Sequence, residues 1–213
     1  MDKRTVRRLF SKLRAERPEP RGELAWRSPF ELLVAVVLSA QATDKSVNQA
    51  TRELFRVART PEQIVALGEA GLIPYIRHIG LYNSKARHIV AAARMLLEEY
   101  GGEVPRDRKA LMRLPGVGRK SANVILNNAW GEEVIAVDTH VFRVANRTGL
   151  APGRTPEAVE AGLMRVVPKE FLRDAHHWLI LHGRYTCTAR RPRCPACAIR
   201  AECRWPEKEA AAG

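Results

Sequence analysis

Lys120 and Asp138 are the two residues of this chain whose types and surroundings suggest covalent chemistry. Lys120 follows Leu114–Arg119, where Pro-Gly and a second glycine predict a tight turn. Helical patterns precede the turn at 107–113 and follow it at 119–129. A turn that begins a helix presents free N–H groups and the positive helix end, which together suit a phosphate. From this stretch alone, a helix–turn–helix corner with a surface lysine explains the pattern equally well.

Asp138 follows the apolar segment 134–137, which we expect to be extended and buried, and it precedes a predicted helix. Aspartate is a preferred residue at a helix N-cap, so a purely structural role is a serious interpretation. A cap would also hold the carboxylate in a fixed position. Capping and catalysis are therefore compatible roles for Asp138.

Four cysteines near the carboxyl terminus form a C-x6-C-x2-C-x5-C pattern, comprising Cys187, Cys194, Cys197 and Cys203. Disulfides do not fit a chain whose first ten residues are charged and lack the apolar region of an export signal. Zinc held by four thiolates and a 4Fe–4S cluster both remain open. The loop between the first two cysteines displays Arg190, Arg191 and Arg193. We interpret it both as a metal-held structural staple and as a phosphate-facing surface.

The composition favours a polyanionic partner. The 213 residues include 36 Lys and Arg against 23 Asp and Glu, a formal net charge of +13. Nucleic acid is the first candidate and an anionic membrane surface the second. The longest apolar run, Leu32–Leu38, is far shorter than the roughly 20 residues that span a bilayer. We therefore expect a nucleic-acid partner and no membrane.

Helical periodicity is frequent and strand signals are scarce, which predicts an all-α fold. The predicted helix Pro29–Ala40 is apolar nearly all round and should lie at the centre of a domain. A small polar segment, 39–44, follows it. This segment is either a simple connection with an N-cap or a rigid loop that touches a ligand, and its spacing alone favours the connection.

Four further local predictions concern positions later in the chain. Leu81 lies in a predicted turn, where it is either a corner contact or an exposed wedge, and Asn83 is the expected N-cap of the helix that follows. Another helix is predicted at 174–182. The tail 210–213 is expected to be frayed.

Taken together, these residues resemble the endonuclease III family of base-excision DNA glycosylases. The resemblance covers residues 3–205 and is carried by five segments: 38–44, 80–86, 114–120, 137–143 and 177–187. Lys120, Asp138 and the cysteine spacing in one sequence make it specific. Ser121 stands where many relatives have Thr, which is a mild departure.

The resemblance implies two α-helical domains with a DNA-binding cleft between them. A six-helix domain, 22–132, would contain the helix-hairpin-helix motif. Residues 1–21 with 133–213 would form the second domain, in which the four cysteines hold a 4Fe–4S cluster in a C-terminal loop. Lys120 and Asp138 would then face each other across the cleft.

The same resemblance implies a bifunctional DNA N-glycosylase and AP lyase. The enzyme would remove oxidised pyrimidines through a Schiff base on Lys120, assisted by Asp138, and cleave the strand by β-elimination. The implied partner is double-stranded DNA with damaged bases or abasic sites, and the implied state is a monomer in the cytoplasm of a prokaryote, at the nucleoid. The DNA-binding residues would be Gln41, Leu81, Gly116, Val117, Gly118, Arg119, His140, Arg190, Arg191 and Arg193.

Two alternatives stay open at this point. The first is a monofunctional adenine or mismatch glycosylase of the same superfamily. Such relatives usually lack the hairpin lysine, and the adenine-specific ones carry a further C-terminal domain, so Lys120 and the end at Gly213 argue against them. The second is a non-enzymatic helix-hairpin-helix DNA-binding module with a zinc staple, which leaves Lys120 and Asp138 without a role.

Overall fold

The computed structural model describes residues 1–208, and this part of the chain is all-α, with ten α-helices and no β-strand. The helices are α1 (Lys3–Glu16), α2 (Pro29–Leu38), α3 (Asp44–Val57), α4 (Pro61–Ile76), α5 (Tyr82–Glu99), α6 (Arg108–Arg113), α7 (Arg119–Trp130), α8 (Thr139–Thr148), α9 (Pro156–Val166) and α10 (Lys169–Tyr185). Among the described residues, no helix is both long and apolar enough to cross a membrane. The predicted all-α class is confirmed.

Helices α2 to α7 form one compact unit, Glu23–Gly131. Every residue of α2 from Phe30 to Leu38 is buried, as its uniform apolar sequence predicts, and α2 packs against α3, α5 and α7. The Ser28 hydroxyl accepts a hydrogen bond from the Glu31 N–H at 3.2 Å, which begins the helix. This central helix carries the segment 39–42 at its carboxyl end.

The second compact unit combines Met1–Gly22 with the chain from Glu132 onward, and it holds α1, α8, α9 and α10. Its core includes Phe10 and Phe171, whose rings stack with centroids 5.6 Å apart. This pairing joins α1 to α10, although about 160 residues of sequence separate them.

A buried carboxylate also attaches α1 to the cysteine-rich segment. Glu202, only 3% exposed, binds Arg8 at 2.7 Å and Lys12 at 3.0 Å. Part of the basic face of α1 is therefore committed to the fold and is not free for a ligand. Such a pair is costly to break, because removing one partner leaves a buried charge without compensation.

Three local predictions need comment. The N-cap of α5 is Leu81 and the helix begins at Tyr82, so the prediction of Asn83 as its N-cap was wrong. The helix predicted at 174–182 is longer at both ends, Lys169–Tyr185, and its N-cap is Pro168. The tail 210–213 lies outside the described residues.

Candidate functional site

The hairpin between α6 and α7 is a closed turn with one left-handed position. The Val117 N–H donates to the Leu114 carbonyl at 3.1 Å, and the Val117 side chain is buried. Gly116 has φ +81°, a left-handed conformation that suits glycine. The buried valine anchors the turn to the core while the two glycines on either side of it stay exposed.

Helix α7 begins at this turn, and Lys120 lies in its first helical turn. The N-cap is Gly118, which has no side chain to satisfy the first N–H groups of the helix. Lys120 is exposed to solvent and Arg119 is half-buried. The hairpin thus combines open N–H groups, a positive helix end and a primary amine. This arrangement fits the predicted phosphate site, which stays a prediction.

The two hairpin glycines should respond differently to substitution. A Cβ at Gly116 would lie 3.1 Å from the His88 Cβ and 3.2 Å from a Val37 methyl, whereas at Gly118 none of the described residues would lie within 4 Å. We expect Gly116→Ala to destabilise the protein by about 1–3 kcal/mol, since it adds both a positive φ and crowding. Gly118→Ala should change stability by about 0.5 kcal/mol or less and still weaken DNA binding, because its methyl group would occupy the approach to the N–H groups.

Thermal unfolding and DNA titration of the two variants check this expectation. If Gly118→Ala bound DNA with wild-type affinity, the backbone at this position would not approach a phosphate.

Asp138 is the N-cap of α8, as its position predicts. Its Oδ1 atom accepts hydrogen bonds from the N–H groups of His140 at 2.9 Å and Val141 at 2.8 Å. Both bonds use the same oxygen, which leaves Oδ2 outside the cap. The side chain is half-buried, so a fixed carboxylate oxygen is presented at the start of the helix. The capping role is confirmed, and it is compatible with a second role for Oδ2.

Arg143, one turn along α8, connects this helix start to the cysteine-rich segment. Its Nε donates to the Cys187 carbonyl at 2.9 Å, and its Nη2 donates to the Gly183 carbonyl at 2.7 Å. The same Nη2 lies 3.2 Å from Nδ1 of His140, which is half-buried. Burial lowers the pKa of Arg143, although its partners favour the charged form. Arg143 was not among the predicted site residues, and only its position within the 137–143 segment could have indicated a role.

The four cysteines line one common pocket. Burial, followed by other local effects that include the three neighbouring cysteines, raises the pKa of Cys197 to about 11. Burial also raises the pKa of Cys203. Thiols in such a place are protonated unless a cation holds them as thiolates. The donor set is therefore suited to a metal centre. Four cysteine thiols are the ligand set of a 4Fe–4S cluster and also of a structural zinc ion.

The arginine-bearing loop is held by Arg147 of α8. Its guanidinium donates to the carbonyls of Thr188 at 2.7 Å and Ala189 at 2.8 Å, and it stacks over the Trp205 ring at 4.3 Å. The three loop arginines predicted to bind DNA, Arg190, Arg191 and Arg193, are exposed. Their charges are therefore available to an anion, although the structure contains none.

Gln41 and Leu81, two of the predicted DNA-binding residues, share an unusual backbone conformation. They are the two non-glycine residues with positive φ among residues 1–208, at 54° and 61°. Each such conformation costs on the order of 1–3 kcal/mol, so the surrounding fold must impose it. Both side chains are exposed, and Leu81 is 63% accessible to solvent. An apolar side chain held outward at a conformational cost fits a wedge better than a corner contact.

Comparisons with known proteins agree with these features. Residues 34–169 match the family of HhH-GPD superfamily base excision DNA repair proteins. Endonuclease III of Escherichia coli (strain K12) is 58% identical over 208 residues, covering 98% of this chain and 99% of the relative. Endonuclease III of Haemophilus influenzae is 58% identical over 200 residues, covering 94% of this chain and 95% of the relative.

Solved structures give the same result. A trapped endonuclease III–DNA covalent intermediate has a TM-score of 0.92, with 46% identity and 99% of each chain covered. A thermostable thymine-DNA glycosylase has a TM-score of 0.83, with 27% identity and 95% of each chain covered. By sequence over nearly its full length and by fold, the chain belongs to the endonuclease III family of the HhH-GPD superfamily of base excision DNA repair proteins.

Proposed function

We propose that this chain, a base-excision DNA glycosylase with AP lyase activity by its family, removes oxidised pyrimidines through a Schiff base on Lys120. The observation that carries the assignment is the exposed Lys120 amine in the first turn of α7, a helix whose N-cap, Gly118, makes no side-chain cap hydrogen bond. A primary amine beside a held phosphate is suitably placed to attack the adjoining sugar. We further propose that the protein acts as a monomer at the nucleoid of a prokaryotic cell.

The chemistry follows from the residue types. The neutral Lys120 amine attacks the sugar C1′, the bond from C1′ to the base nitrogen breaks, and the base leaves with a proton. The C1′–O4′ bond then breaks, O4′ takes a proton from solvent, and the nitrogen forms a protonated imine with C1′. Loss of a proton at C2′ breaks the C3′–O bond and releases the 3′ phosphate, and water hydrolyses the imine and frees Lys120. The amine must be deprotonated to attack.

Asp138 is assigned a proton-transfer and electrostatic role. Its Oδ1 is fixed by two helix N–H groups, so its Oδ2 can face the sugar without free rotation. A carboxylate in that position stabilises the positive charge that develops on the sugar as the base leaves. It can also move protons during the reaction.

DNA contact is assigned to groups that do not read base sequence. The N–H groups of Gly116 and Gly118 would hold a backbone phosphate, while the Val117 N–H closes the turn that positions them. The side chains of Arg119, His140 and the three loop arginines would add further phosphate contacts. Gln41 and Leu81 would fill the space left when the damaged nucleotide leaves the stack. A formal net charge of +13 supports attraction that weakens as salt increases.

The cofactor we propose is a 4Fe–4S cluster held by Cys187, Cys194, Cys197 and Cys203. A cluster supplies a covalent cross-link of the loop and, in principle, a site for electron transfer. What supports the cluster is the donor set of four cysteines in one pocket, together with a spacing that contains one C-x2-C knuckle, whereas zinc sites usually have two.

The metal assignment predicts a brown protein with broad visible absorbance and about four iron atoms and four inorganic sulfides per chain. Metal and sulfide analysis of protein purified without oxygen checks this. A colourless protein with one bound zinc would contradict the assignment. Removing the metal should disorder the segment that carries the loop arginines and weaken DNA binding, because the buried thiols then lose their cross-link.

Borohydride trapping tests the proposed activity. The substrate is duplex DNA with one oxidised pyrimidine, and matched duplexes carry a G·T mismatch or no damage. We expect a covalent complex on the oxidised pyrimidine and none on undamaged DNA. Base release from the G·T duplex without a trapped species would favour the mismatch alternative. The G·T duplex is included because the fold is similar to that of a thymine-DNA glycosylase. The absence of trapping on any lesion would contradict the proposal.

A further inference from the structure

Lys85 is a buried lysine that has no role in the proposed mechanism. It lies on α5, one helical turn after Leu81, and its side chain is only 4% exposed. Burial lowers the pKa of its ammonium group. Lysine is almost never fully buried unless it is paired, so its partners indicate its purpose.

The Lys85 ammonium binds the backbone that leads to Gln41. Its Nζ donates to the Leu38 carbonyl at 2.8 Å and to the Ala40 carbonyl at 2.7 Å. Leu38 is the last residue of α2, where carbonyl groups have no partner within the helix and a positive charge is favourable. Ala40 directly precedes Gln41, so one ammonium group ends the central helix and fixes the following turn.

The same residue also binds the turn that contains Leu81. The Lys85 backbone N–H donates to the Leu81 carbonyl at 3.0 Å. Lys85 therefore contacts the turn of Gln41 through its side chain and the turn of Leu81 through its backbone. These two turns contain the strained left-handed positions described above. Strained conformations of this kind persist only where the surrounding contacts impose them.

We infer that Lys85 is a positioning residue that connects the Gln41 turn to the Leu81 turn and holds the two side chains ready to enter DNA together. The inference rests on the proposed roles of Gln41 and Leu81. Without the ammonium group, two carbonyls lose their donor and the Gln41 turn is free to relax. We therefore expect Gln41 and Leu81 to be less ordered. The nucleophile should be unchanged, since Lys120 lies on a different helix, α7.

Lys85→Met tests this inference, because methionine has a similar length and no donor. Binding is measured to a duplex with a tetrahydrofuran abasic analogue and to the same duplex undamaged, both at low temperature. The matched control is Ile89→Ala, which opens a cavity one turn further along the same helix, where Ile89 is 2% exposed. We expect Lys85→Met to lose the preference for the abasic duplex by on the order of 10-fold or more, and Ile89→Ala to retain it.

Three further measurements separate positioning from general stability. A 2-aminopurine opposite the abasic analogue should show a smaller fluorescence change with saturating Lys85→Met than with the wild type. In a Gln41→Ala background, the Lys85→Met effect on preference should shrink, whereas the Ile89→Ala effect should not change. The trapped yield on saturating abasic substrate should stay within about threefold of the wild type, because the loss falls on KM.

The outcomes distinguish this inference from the proposed function. A wild-type chain with no preference for the abasic duplex would contradict the proposed function and the inference together. A wild-type preference that Lys85→Met retains, or that Ile89→Ala loses equally, would overturn the inference alone.

Discussion

Lys120→Ala is expected to abolish the borohydride-trapped complex and to lower strand cleavage at an abasic site by about 1,000-fold or more. The substitution removes the amine that forms the Schiff base, and no other group can replace that bond in the same geometry. Lys120 is exposed and alanine favours helices, so stability should change by about 0.5 kcal/mol or less. Trapping under borohydride, strand-cleavage rates and a thermal melt measure the three quantities.

Lys109→Ala is the matched control for this experiment. Lys109 is exposed on α6, and its loss changes the net charge by the same single unit. General weakening of DNA attraction should therefore be equal in the two variants, and only Lys120→Ala should lose the covalent complex. Binding of Lys120→Ala to a tetrahydrofuran duplex should remain close to that of the control. Persistent trapping by Lys120→Ala would identify a different amine as the nucleophile.

Much of the hairpin could be predicted from sequence because its determinants are local. The glycines, the proline and the start of α7 act within a few residues, and the observed turn at Gly116 follows from them. The cap at Asp138 is equally local and was predicted with its helix. For the same reason, the uniform apolar pattern of α2 correctly predicted a buried central helix.

The turns that contain Gln41 and Leu81 could not be predicted in the same way. The local pattern favours Asn83 as N-cap, yet the helix begins at Tyr82 after a left-handed Leu81. The nearby buried Lys85 bonds to carbonyls 45 and 47 positions away, and such long-range pairing leaves no periodic signal. Arg143 and Arg147 were missed for a similar reason, since their partners lie about 40 residues later. These features depend on tertiary hydrogen bonds, and local propensity could therefore not predict them.

Asp138→Asn should separate the capping role of this residue from its catalytic role. Asparagine keeps an oxygen that can accept from the N–H groups of His140 and Val141, and it is as good an N-cap as aspartate. Stability should therefore change by about 0.5 kcal/mol or less. Base removal should fall by on the order of 10²–10⁴-fold, because an amide carries no charge to stabilise the sugar and cannot accept a proton.

Asp138→Ala is the comparison that makes this result decisive. Alanine loses the cap and the carboxylate together, so we expect about 1 kcal/mol of destabilisation in addition to the loss of base removal. If Asp138 were only a cap, Asp138→Asn would be fully active and Asp138→Ala would lose activity only through unfolding. If the carboxylate acts on the sugar, the two variants should be similarly inactive while differing in melting temperature. Single-turnover base release and thermal unfolding, measured on the same preparations, distinguish these cases.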